Sequence, residues 1–164
     1  MASYDIFLSF EAKNLSIMSR LEKKLKSQFN LKIFSVTMNS QSVENTKLLI
    51  EKAINSSRVF ICGMTKKYTE TKECIEEILI ANRKEMPSVA ILLEPMIPQN
   101  FPGLAFISNW TCIKFYDDPK IESGILSGPN YDLLIDKLEF LLQRDLKSTQ
   151  TSKDKKNGGC CTLI

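Results

Sequence analysis

Two neighbouring acids, Glu76 and Glu77, stand two and three residues after Cys74 in this 164-residue chain, where the local pattern is helical. With Cys74, Ile75, Ile78, Leu79 and Ala81 as the apolar positions of a helix of ~3.6 residues per turn, Glu77 falls on the margin of the apolar face. Glu76 lies further toward solvent. A carboxylate on such a margin can be partly desolvated, a usual setting for a functional acid. A solvated glutamate at a helix boundary fits the same wheel position. The chain has no histidine. That removes the Ser-His-Asp triad, the Cys-His pair and histidine-containing zinc sites, leaving carboxylates, hydroxyls, thiols, lysines and arginines for any chemistry.

The thiols form two sets. Cys62, Cys74 and Cys112 fall inside apolar segments, where free cysteine packs as a small hydrophobe. Cys160 and Cys161 stand beside Gly158-Gly159 in the C-terminal stretch. No CxxC pair occurs, and Asp117-Asp118-Pro119 has no third ligand spaced to join it, so no metal site is expected. That acidic pair reads as a strand-ending turn. The sequence Cys161-Thr162-Leu163-Ile164 has the C-a-a-X form of a prenylation site, with Cys161 as acceptor and Cys160 a second candidate. Charge follows the same division. The net charge is +3, and residues 147–164 supply it, leaving residues 1–146 with 18 basic and 18 acidic residues. A neutral body argues against a nucleic-acid-binding surface. A basic tail carrying lipids suits the cytosolic face of a membrane.

Those residues must be positioned by a fold that alternates strand and helix. The sequence predicts five strands, at Tyr4–Ser9, Lys32–Val36, Arg58–Gly63, Ser88–Glu94 and Thr111–Tyr116. Several are nearly continuous in apolar residues, as strands buried on both faces of a parallel sheet are. Helical stripes lie between and after them: Leu15, Met18, Leu21, Leu25 and Phe29; Leu49, Ile50, Ala53 and Ile54; the Cys74 stripe; and Tyr131, Leu134, Leu138, Leu141 and Leu142. Between strands four and five, residues 95–109 hold three prolines and read as irregular, with room for a short helix. The expected class is α/β, with one domain over residues 1–146 and a disordered basic linker and lipidation tail over 147–164. No apolar run reaches the ~20 residues that span a bilayer, and Met1-Ala2-Ser3 leads straight into the first strand, so a cytoplasmic protein is expected. In an open sheet of order 2-1-3-4-5, ligands sit where the order reverses, at the carboxyl ends of strands one and three. The residues delivered there are Ser9, Phe10 and Glu11, then residues 63–71 and the Glu77 helix. No GxGxxG and no GxxxxGK[ST] is present.

Three blocks resemble TIR (Toll/interleukin-1 receptor) domains. Tyr4-Asp5-Ile6-Phe7-Leu8-Ser9-Phe10 resembles the family's opening strand. Residues 50–61 (IEKAINSSRVFI) are similar to the passage from the second helix into the third strand. Residues 68–78 (YTETKECIEEI) resemble the Y-x-x-S-x-W-C-x-x-E-L signature that opens the third helix, with Glu73 where the tryptophan commonly stands. The blocks come in the family's order, and the resemblance covers residues 4 to about 145.

The resemblance implies a flavodoxin-like three-layer fold and two functional classes. One is an adaptor that associates with itself and other TIR domains. The other cleaves NAD at the nicotinamide–ribose bond, with NAD as substrate and no cofactor. By position Glu77 matches the catalytic glutamate of the second class, and Ser9 and Phe10 match the strand end lining its cleft. Glu11 follows, where plant members often have arginine. The implied roles are Glu77 beneath the ribose, Phe10 stacked near the nicotinamide and Ser9 as a polar wall. This chemistry needs no histidine, because the nicotinamide of NAD is already a cationic leaving group and its transition state is oxocarbenium-like.

Overall fold

The computed structural model describes residues 2–36 and 43–147. Five parallel strands form one sheet in the order β2-β1-β3-β4-β5. They are β1 (Tyr4–Phe10), β2 (Ile33–Ser35), β3 (Ser57–Met64), β4 (Ser88–Leu92) and β5 (Thr111–Lys114). The helices are α1 (Leu15–Phe29), α2 (Val43–Asn55), α3 (Lys66–Glu70), α4 (Lys72–Arg83), α5 (Pro119–Glu122) and α6 (Pro129–Leu142).

Because successive strand residues point to opposite faces, the sheet divides its apolar side chains into two cores. Ile6, Leu8, Val59, Ile61, Val89, Ile91 and Ile113 pack on the side of α1 and α6. Phe7, Phe34, Phe60, Cys62 and Ala90 pack on the other side, with residues of α2 and α4. On that second side the rings of Phe34, Phe7 and Phe60 stack across β2, β1 and β3, with centroids 5.5 and 5.7 Å apart. Trp110 closes the row edge-on to Phe60 at 6.0 Å. The three-layer α/β architecture and the strand order are those predicted from the sequence.

Several local expectations need correction. The last two strands stop short of the predicted Glu94 and Tyr116: β4 ends at Leu92, and after Lys114 the backbone tightens into a 3-10 turn over Phe115–Asp117. Asp118, read as part of a strand-ending turn, caps α5 by accepting a hydrogen bond from the Lys120 amide at 3.0 Å. Cys112, expected in the core, is exposed. It lies on the edge strand, and the chain between β4 and β5 contributes only the 3-10 turns Pro98–Asn100 and Ala105–Asn109 there, with no full helix to cover it. Leu15, Leu49 and Leu79 sit at the exposed margins of their helical stripes. The basic tail with Cys160 and Cys161 lies outside the described residues.

Candidate active site

The end of β1 and the start of α4 meet at the switch point of the sheet. Ser9 pairs in register with Cys62, and Phe10 with Gly63. After β3, Thr65 accepts a hydrogen bond from the Tyr68 amide at 3.0 Å and so caps the short α3. The Lys66 amide donates to the Glu94 carboxylate at 2.5 Å, tying that turn to the chain beyond β4. These two contacts turn Tyr68 inward, where it is fully buried. Helix α4 then buries Cys74, Glu77, Ile78 and Ala81. Glu77 is therefore inside the apolar face, at 6% exposure, rather than on its margin.

What makes that burial tolerable is a line of hydroxyls. Ser9 Oγ donates to Glu77 Oε2, and the Ser9 oxygen and the Tyr68 hydroxyl are 2.7 Å apart. With the Ser9 proton committed to the carboxylate, Tyr68 is the donor in the second bond. Burial pushes the Glu77 carboxyl up to about 7; the Ser9 bond opposes that rise, and the Glu73 and Glu76 charges add to it. Burial raises the other acids of the cluster as well. Cys74 is pushed up to about 12, and Cys62 and Tyr68 lie well above their ordinary values. Near neutral pH, Glu77 is thus the member of the cluster that changes charge, and the thiols stay protonated and poorly nucleophilic.

Glu77 also lines a cavity of about 400 Å³ between α2 and α4. Ile50 and Ile80 give it apolar walls, and Lys47, Glu51, Lys72, Glu73 and Glu76 give it charged ones. Of the residues predicted for the site, Ser9 and Glu77 are brought together. Phe10 and Glu11 are not among the residues that line this cavity. The alternation that turns Ser9 toward α4 turns Phe10 to the opposite face, against the α1 core. The Glu11 carboxylate accepts from the Lys13 amide at 3.1 Å and caps the 3-10 turn Ala12–Asn14. Sequence reasoning missed Tyr68 as the third member of the hydroxyl line. Its available signal was Thr65, a capping residue three positions earlier, which fixes where α3 begins and so which way Tyr68 points. It also missed the α2 wall of the cavity. Among the described residues, no group of three or more Cys, Asp or Glu side chains is placed to hold a metal ion.

The family model described as TIR domain matches residues 6–125. Among solved structures, the chain is similar to the TIR domain of the Toll-related receptor TRR-2 of Hydra magnipapillata. The TM-score is 0.59 at 16% identity, over 84% of this chain and 99% of that one. It also aligns with the TIR domains of the activated Roq1 resistosome that recognises the effector XopQ, at TM-score 0.48 and 16% identity, over 94% of this chain and 99% of that one. No curated protein sequence matches it.

The raised carboxyl ties stability to pH with a definite sign. Glu77 holds its proton more tightly folded, at about 7, than at its ordinary value of 4.5. Its contribution is therefore fully present below the ordinary value and is lost as pH rises through the folded one. The loss is roughly 3 kcal/mol once the group is ionised. Glu77→Gln has no proton to lose. The stability of Glu77→Gln relative to wild type, read from urea unfolding, should rise by roughly 3 kcal/mol between about pH 4.5 and about pH 8.5. Parallel pH profiles would show that the carboxyl is not held out of water.

Proposed function

The chain belongs to the TIR domain family, and from that premise we propose that it cleaves NAD at the nicotinamide–ribose bond with Glu77 as the catalytic carboxylate. The observation that carries this reading is Glu77 itself: almost fully buried, held by Ser9, raised to about 7 and lining a cavity of small-molecule size. The bond between C1′ and the pyridinium nitrogen lengthens, and its electron pair leaves with nicotinamide, cancelling the ring's positive charge. The charge passes to the ribose as an oxocarbenium ion. A carboxylate already in place and itself almost out of water stabilises that charge without reorganising. Water then adds to C1′ and releases a proton. Ser9 fixes the carboxylate through Oε2, and Tyr68 fixes Ser9.

This role requires the ionised acid, so the pH dependence is opposite to that of stability. Nicotinamide release should climb as pH rises through about 7, the value to which burial pushes Glu77. Glu77→Gln, which keeps shape and volume, should lose on the order of 10²-fold or more in kcat. Chromatographic assay of concentrated protein measures both. A Glu77→Gln protein as fast as wild type would remove Glu77 from the reaction. A second reading is a non-catalytic TIR adaptor that recruits other TIR domains or associates with itself. It is favoured by the 6% exposure of Glu77 and by the absence of Phe10 and Glu11 from the cavity wall. Release of no nicotinamide at any pH supports it.

The same proposal places the protein on a membrane through lipid on Cys160 or Cys161. The support is chemical: paired thiols beside Lys153, Lys155 and Lys156 combine a lipid acceptor with a basic second signal. No helix among the described residues is long and apolar enough to cross a membrane. Wild type should pellet with membranes and the Cys160→Ser/Cys161→Ser double variant should not. Equal pelleting of the two contradicts the tether.

A further inference from the structure

We propose that the cavity over Glu77 selects a phosphate-free ribosyl pyridinium cation, the charge class of nicotinamide riboside, over phosphate-bearing dinucleotides. The inference rests on the reading of Glu77 as the bond-cleaving carboxylate and adds the charge and size of what it accepts. Four of the lining residues are acids: Glu51 from α2, and Glu73, Glu76 and Glu77 from α4. Two are bases, Lys47 and Lys72. Lys47 is already committed, with its Nζ 3.4 Å from Glu76 Oε2. Against Glu51, Glu73 and Glu77 the remaining base is Lys72, so among the described residues the lining carries net negative charge.

A pyrophosphate is ordinarily met by arginine or lysine and by the free amides of a helix N-terminus. The N-terminus at this cavity is that of α4, and it carries its own carboxylate, Glu73, in the first turn. That acid already offsets the positive end of the helix dipole. An excess of acids around a cavity attracts cations and repels anions, which here favours the pyridinium over the pyrophosphate. Size points the same way. About 400 Å³ lies near the lower end of the ~300–1,000 Å³ range of small-molecule pockets, suited to a nucleoside rather than a dinucleotide. Ile50 and Ile80 supply apolar surface for the ring. In the step itself, the C1′–N bond breaks with its electron pair going to nicotinamide. Water forms the new C1′–O bond, its spare proton passes to solvent, and ribose is the second product.

The experiment compares nicotinamide release from nicotinamide riboside, NAD and NADP by the full chain, at low salt and at roughly 0.5 M salt. At low salt, kcat/KM should fall on the order of tenfold from the riboside to NAD and again to NADP. Both gaps should narrow at high salt. Glu51→Gln/Glu73→Gln, at two exposed positions, should raise NAD relative to the riboside several-fold. If NAD or NADP is cleaved as well as the riboside, and release still depends on Glu77, the charge selection is overturned while the cleavage reading stands. If none of the three releases nicotinamide, both fall.

Discussion

A carboxyl group taken out of water needs a donor close by, and in this fold the donor comes from another strand. Ser9 on β1 gives its proton to Glu77 on α4, and Tyr68 on α3 supplies the bond that Ser9 then needs. Every element around the site bears on that line of three hydroxyl and carboxyl groups. The register of β1 against β3 sets the height of Ser9, Thr65 sets the start of α3, and the apolar face of α4 presses Glu77 toward the sheet. Remove any one and the carboxyl either loses its partner or returns to solvent.

The aromatic row beneath supports the same arrangement. Phe34, Phe7 and Phe60 stack across three strands on the face where Ser9 also points. Strand β1 is flanked by β2 at Ile6, Phe7 and Leu8 and paired with β3 from Tyr4 to Phe10, and its carboxyl end delivers Ser9. The buried thiols Cys62 and Cys74 fill space beside this line, and burial keeps them protonated. Chemistry near neutral pH is left to one group.

Much of this was legible in the residues. Unbroken apolar runs announced a parallel sheet, and the switch-point rule placed Ser9 and Glu77 at one end of it. The wheel put Glu77 on a margin because it counts only residues on one helix. The sheet beneath α4 widens the buried face until it takes in Glu77. Phe10 was assigned to the same cleft from its neighbour Ser9, but strand alternation sends adjacent side chains to opposite faces. Cys112 read as core because its run is apolar. Its exposure follows from what the β4–β5 connection fails to cover, a tertiary fact that a local pattern does not contain. Tyr68 and the α2 wall were hidden for the same reason, since their partners lie 59 residues or more away or on a separate helix.

The most direct measurement is a carbon-detected NMR titration of the Glu77 side-chain carboxyl in the wild-type protein. A midpoint of about 7 is expected, because burial outweighs the Ser9 bond. A midpoint at the ordinary 4.5 would contradict the account, since the carboxyl would then be in water and neither the cavity nor the hydroxyl line would govern its charge.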